Sequence, residues 1–311
     1  AIALKTSQYD QKGNIEEVKY YGTDGEPCFQ RRGYSIMNFK YDNKGNATEV
    51  TLFDIEEKPC LNRDNVAGKK RYFDDSGNII KTEHYGVDGN LCNNSSSWSI
   101  SIATYNEKGE SLSIGFYDQN NDPVLTTDGY HKLLIEYNLK GKEESFQFLG
   151  TDTLPMVTPN GYSAIKAQYD KKGRMVSESF FDTSGLPVQI SDGYASVSYD
   201  FDEKSNLINS KYWGIDGNLG MTIYGYASLR SKYDQNDNLI SEAYFDANQK
   251  PCLGNDGYHE VVYKYDDRGN QIEATCYGTD GKLIALENCY ANVKMSYDQR
   301  RNVIEEQFYG P

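Results

Sequence analysis

Tyr265-Asp266-Asp267-Arg268-Gly269-Asn270 is an aromatic residue, an Asp, two polar residues, a Gly and an Asn. That order reads as a turn between two strands. Asp can bond its own backbone two residues on, and Gly accepts the positive φ that closes such loops. The stretch recurs, starting at Tyr9, Tyr41, Phe73, Tyr105, Tyr137, Tyr169, Phe201, Tyr233 and Tyr297, each start 32 residues after the one before. A fixed period of this kind is the mark of a repeat architecture, in which one supersecondary unit stacks on the next. Residues 1–311 therefore read as a single array of about ten 32-residue units, overriding the two domains that length alone suggests.

One unit, taken from Gly33, predicts two strands and two further turns. Met37, Phe39 and Tyr41 alternate with polar residues, as do Val261, Tyr263 and Tyr265; period two with aromatic and branched residues means strand. Asn46 to Phe53 is the second strand, with a mostly aromatic column at Tyr20, Phe116, Phe148, Phe180, Tyr212, Tyr244 and Phe308. A second turn follows, as in Gly22-Thr23-Asp24-Gly25, then a Pro (Pro27, Pro59, Pro123) with an apolar residue behind it. Pro lacks an N–H for a ladder, so this segment reads as a short, irregular edge strand. A Gly-Tyr pair such as Gly129-Tyr130 opens the next unit. A four-residue loop from Asp42 to Gly45 would pair Phe39 with Thr48, Met37 with Val50 and Tyr34 with Phe53. The apolar columns then share one face, and the aromatic columns of Tyr34 and Phe53 meet on the other.

Two stretches depart from the pattern and are expected to be irregular: Asp64–Gly68, which puts Val66 in the Tyr column, and Asn93–Trp98, a polar Ser-rich loop. The column of Gly22, Asp54, Gly86 and Asp118 alternates strictly until Gly310. This suggests a structural period of two units, with odd and even units in different surroundings.

The net charge of −14 disfavours nucleic acid, whose binding needs clustered Lys and Arg, and equally disfavours anionic membrane surfaces. No apolar run has the length of a membrane-spanning helix. Ala1-Ile2 and Pro311 fall mid-unit, so the chain reads as an excised piece of a longer protein.

At the turn motif the chain resembles the YD repeats of the Rhs (rearrangement hot spot) family. Tyr169-Asp170-Lys171-Lys172-Gly173-Arg174-Met175-Val176 matches its aromatic-Asp-x-x-Gly-polar-aliphatic signature. The Pro-apolar and Gly-Tyr half of each unit looks more like the hairpins of choline- and glucan-binding cell-wall repeats. The resemblances imply strand-rich, spiralling shells or cell-wall binders, outside the cell, without catalysis in this segment.

The chemistry on offer is sparse. Tyr34, Phe53, Tyr130, Tyr194, Trp213, Tyr226, Phe245, Tyr258 and Tyr277 could pair as a ladder that stacks on sugars or choline-like groups. They could equally be a second core between units, since cross-strand aromatic pairs contribute roughly 0.2–1 kcal/mol each. Asp24, Asp88, Asp152, Asp216 and Asp280 could hold Ca²⁺ only if neighbouring turns converge, because Ca²⁺ takes six to eight oxygens; plain turn chemistry explains them as well. Cys28, Cys60, Cys92 and Cys252 share one column and read as small hydrophobes. Cys276 and Cys289 both replace unrelated residues in one unit, which suggests a local disulfide. His84, His131 and His259 are too few and too dispersed for a triad or a zinc site.

The reading is thus all-β: tandem 32-residue hairpins stacked into an elongated, solenoid-like array, or alternatively a closed Rhs-like shell. No enzymatic activity is expected. The function expected is a segment of a large bacterial surface or secreted protein, a stalk or adhesive surface binding glycan or a protein partner. The alternative is a shell or scaffold segment of a polymorphic, Rhs-like toxin. No nucleic-acid partner, membrane insertion or cofactor other than Ca²⁺ is expected.

Overall fold

The computed structural model describes residues 2–286 and 290–311. The chain divides into two compact units, Ala1–Pro159 and Asn160–Pro311. The first holds β1 (Ile2–Tyr9), β2 (Ile15–Gly22), β3 (Ile36–Tyr41), β4 (Ala47–Phe53), β5 (Gly68–Phe73), β6 (Ile79–Tyr85), β7 (Ile100–Tyr105), β8 (Ser111–Tyr117), β9 (Lys132–Tyr137) and β10 (Glu143–Leu149). The second holds β11 (Ala164–Tyr169), β12 (Met175–Phe181), β13 (Ser196–Phe201), β14 (Leu207–Trp213), β15 (Ser228–Tyr233), β16 (Leu239–Phe245), β17 (Glu260–Tyr265), β18 (Gln271–Tyr277), β19 (Asn292–Tyr297) and β20 (Val303–Tyr309). Among the described residues there is no helix. Within each unit every strand pairs antiparallel with the next, so the protein is all-β and made of tandem hairpins.

The YD turn is closed three times over. In the β3–β4 hairpin the Gly45 N–H donates to the Asp42 carbonyl, and the Asp42 N–H donates to the Asn46 carbonyl. Asp42 Oδ1 accepts the N–H groups of Lys44 and Asn46, at 2.9 Å each, and Asn46 Nδ2 donates to Asp42 Oδ2. The same Asp–Asn clasp recurs at Asp74–Asn78 and Asp266–Asn270. Gly45 sits at φ 87°, a conformation that favours Gly.

This geometry corrects the expected register. The loop closes on Asp42 and Asn46, and a bulge follows, with Tyr41 opposite Ala47 and Lys40 opposite Glu49. The ladder then pairs Phe39 with Val50, Met37 with Leu52 and Ile36 with Phe53, two residues away from the expected pairs. A two-residue slip preserves the faces, so Met37, Phe39, Val50 and Leu52 still share one side. It does remove the expected Tyr34–Phe53 pair, because Tyr34 lies ahead of the strand.

Adjacent hairpins meet through three pairs, Glu49–Lys70, Val50–Lys69 and Thr51–Gly68 between β4 and β5. The equivalent three recur between β12 and β13 and between β16 and β17. In five hairpins the motif tyrosine hooks onto the hairpin before; Phe73 and Phe201 hold the same position without a hydroxyl. Tyr41, Tyr105, Tyr137, Tyr265 and Tyr297 each donate the phenol O–H to a backbone carbonyl 26 residues earlier, at 2.7–3.0 Å. Beyond the second strand, Pro27, Pro59 and their equivalents form single-residue antiparallel bridges, as with Phe53 and Pro59. The short edge segment is therefore as expected.

Because the same joining register recurs at successive joins within each unit, a two-unit structural period is not found. The Gly/Asp alternation is local turn chemistry. In even units Asp54 Oδ1 accepts the N–H groups of Glu56 and Lys58. In odd units the carboxylate comes from two residues later, and Asp24 Oδ1 accepts the Glu26 N–H. That carboxylate then fills the space a side chain would need at the first position. A Cβ on Gly22 would lie 2.7 Å from Asp24 Oδ1, and one on Gly214 would lie 3.0 Å from Asp216 Oδ1.

The stretches expected to be irregular are regular. Asn65 and Ser97 take the positive φ that Gly33 takes elsewhere, at 63° and 71°. These third turns also bond to one another, Arg63 N–H to the Arg32 carbonyl and Ser95 N–H to the Asp64 carbonyl. Polar side chains and carbonyls close the loop, so it does not require the Gly-Tyr signature.

Candidate binding site

The aromatic columns are not arranged as the pairing expectation required. The rings at Tyr34, Tyr130, Tyr194, Tyr226 and Tyr258 pack against the column that includes Tyr20, Phe148, Tyr212 and Tyr244. In the second unit the contacts run from ring to ring as far as Tyr258: Tyr194–Tyr212 at 4.9 Å, Tyr212–Tyr226 at 5.8 Å, Tyr226–Tyr244 at 4.5 Å and Tyr244–Tyr258 at 5.5 Å between ring centroids; Cys276 takes the next place in the column. Most of these pairs are edge-to-face or tilted, the preferred arrangement for rings that stabilise one another. Phe53, Trp213, Phe245 and Tyr277 each follow that second column by one residue, so they point to the opposite face of the sheet. There they meet polar lids. Trp213 Nε1 donates to Ser198 Oγ at 2.9 Å, and the Arg230 guanidinium lies 3.8 Å over the Phe245 ring. The two columns are not brought together.

The other candidates are placed as follows. The Asp24, Asp88, Asp152, Asp216 and Asp280 carboxylates accept the N–H two residues on. Among the described residues no three His, Cys, Asp or Glu converge as for a metal. Cys60 and Cys252 each point Sγ at the carbonyl of the Gly 27 residues earlier, Gly33 and Gly225. Cys276 is buried and free, with burial pushing its thiol up; Cys289, its suggested partner, lies outside the described residues. His131 is fully buried and His259 partly so, each with Nδ1 2.7 Å from a backbone carbonyl.

In the first unit the ring ladder is interrupted. It runs from Tyr20 to Tyr34, and resumes as His84–Trp98 at 4.5 Å and Trp98–Phe116 at 5.2 Å. Between them stand Leu52 and Val66, where neighbouring units carry rings. The gap is a cavity of about 540 Å³, within the size of small-molecule sites. Its floor is one cross-strand row, Phe39–Val50–Lys69–His84, running across β3, β4, β5 and β6. Arg71 stands two residues along from Lys69, and Arg32 comes from the turn above; all three line the cavity.

The electrostatics of this gap differ from the rest of the ladder. Burial holds the Lys69 ammonium below its usual range, and the nearby charge of Arg71 lowers it further; Asp64 opposes both. No ion pair among the described residues involves Arg32, Lys69 or Arg71. Burial pushes the His84 imidazole down to about 4, against a weaker pull from the Trp98 backbone. His84 is therefore neutral near pH 7, with its buried Nδ1 unpartnered.

The signal for this site lies in the sequence but needs the columns. Lys69 falls where other units have Met37, Leu133, Val197 and Val261, and Arg71 where others have Phe39, Ile135, Tyr199 and Tyr263. Four departures in one unit, Val66, Lys69, Arg71 and His84, converge on one gap. Reading His84 and Val66 one at a time missed it.

No family model and no curated protein matches the chain. Among solved structures it is similar to a TcdB2–TccC3 structure without the hypervariable C-terminal region, at 11% identity and a TM-score of 0.47 over 98% of this chain and 15% of that one. It is also similar to a TcdB2–TccC3–Cdc42 structure, at 15% identity and 0.34 over 98% and 19%. A third is the Photorhabdus luminescens Tc holotoxin pore, at 11% and 0.35 over 94% and 15%. The chain thus spans less than a fifth of the length of each of these three chains. No helix among the described residues is long and apolar enough to cross a membrane.

Proposed function

We propose that this chain is a non-catalytic wall segment of a secreted, toxin-type shell, the hairpins forming part of an enclosure for a partner segment carried elsewhere in a longer protein. One observation carries the reading. The residue two positions after the bridge is apolar and outward in six repeats, Phe29, Leu61, Leu125, Val157, Met221 and Leu253, each 43–51% exposed, while Asn93 and Gln189 are polar there and Ala285 is small. A recurrent exposed apolar position of this kind marks a surface that something covers. A stalk bathed in water on all sides has no use for it; a wall facing enclosed chain does. The YD motif supports the same reading through the shells that its resemblance implies.

The test is electron microscopy of the natural full-length protein. A hollow particle whose wall contains these hairpins, with density inside, is the expected result. A free filament with no enclosed density overturns the proposal. Saturable binding of a glycan by residues 1–311, lost on Tyr130→Ala and Tyr194→Ala, would establish the adhesive function instead.

A further inference from the structure

The cavity at the ladder gap combines three features. Its walls are apolar and aromatic, with Leu52, Val66 and Trp98 around the opening. Arg32, Lys69 and Arg71 bring positive charge without a salt-bridge partner in a chain whose net charge is −14. His84, more than nine-tenths buried, completes the lining beside a single carboxylate, Asp64, set against the three cations. A half-buried ammonium without a partner is costly. That cost falls if an anion with an apolar body sits there.

We propose that this gap is a binding site for a small amphiphilic anion, a carboxylate or phosphate monoester with an apolar or aromatic body. The anionic head lies against Lys69, Arg71 and Arg32, and the body lies on Trp98 and the Leu52–Val66 wall. Arg is suited to bidentate contact with either head group. The site belongs to one unit, because only there do cations fill both core columns, Lys69 with Arg71; Lys5 shares the first column but has Ser7 in the second.

The experiment is titration of residues 1–311 with phenyl phosphate and, separately, benzoate, followed by Trp98 fluorescence in a Trp213→Phe background. Phe occupies the Trp213 column in other units, so this change is conservative. Saturable binding is expected, about tenfold or more tighter than for inorganic phosphate or phenol alone, since both halves contribute. The two probes distinguish a phosphate head from a carboxylate head. Lys69→Leu with Arg71→Ala restores residues that other units carry at these columns, and is expected to weaken binding by at least about tenfold. Val66→Tyr restores the ring ladder and is expected to abolish binding while the fold, followed by circular dichroism, is kept. Lys166→Gln, in the second unit and outside the cavity lining, is expected to change nothing. Absence of saturation to roughly 10 mM with both probes overturns the proposal. So does wild-type affinity in the Val66→Tyr protein, or an equal loss in Lys166→Gln.

Discussion

At the residue scale, two side chains do most of the specifying, the Tyr and the Asp of the turn. The tyrosine is a hook as well as a hydrophobe. Tyr265→Phe keeps the ring and loses only the O–H bond to the Leu239 carbonyl, so it should cost about 0.5–1.5 kcal/mol, read as a lower urea midpoint with an unchanged m-value. The turn carboxylates carry a pH signature. Hydrogen bonds from the Asn side chain first, and from the backbone N–H groups next, hold Asp42, Asp74 and Asp266 below the ordinary Asp range. A depressed folded-state value contributes stability that is present above the unfolded value of about 3.9 and is lost as pH falls through the folded one. Urea midpoints should therefore hold from neutral pH to about pH 5 and fall steeply below about pH 4. Asp266→Asn should show a lower midpoint at pH 7 and a shallower acid decline.

At the scale of elements, the second turn offers two interchangeable solutions. Gly214→Ala crowds Asp216 Oδ1 and should cost about 1 kcal/mol. Gly214→Asp together with Asp216→Ser copies the Asp182-Thr183-Ser184 turn of the preceding unit, and should recover most of that loss in thermal unfolding. Hairpins, edge prolines and faces were legible in the sequence because period-two patterning and turn residues are local signals. The register was not legible, because it depends on which backbone groups the Asp42 carboxylate captures, and a two-residue slip leaves the hydrophobic pattern intact. The ladder was legible as a set of rings and misread as to partner for the same reason: Tyr34 meets Tyr20, at 6.3 Å, and not Phe53. The cavity was hidden because its residues are unremarkable singly. Lys69 on an exposed strand would mean nothing; Lys69 in a column of Met, Leu and Val does.

At the scale of the whole molecule, the fixed period is a statement about what the chain tolerates. Excising residues 197–228 joins Ser196 to Leu229, which occupies the column of Val197, and every remaining side chain keeps its face. That shortened protein should fold with the same circular dichroism per residue. Excising one residue fewer reverses the alternation of everything downstream in its hairpin and should give an aggregating product by size-exclusion chromatography. The tyrosine hook adds a direction to this arrangement. Each phenol reaches back to a carbonyl of the hairpin already made, never forward to one still to come. A chain emerging from the ribosome can thus lay each hairpin onto a finished template, with no need to wait for its C-terminus, and synthesis itself becomes the order of assembly.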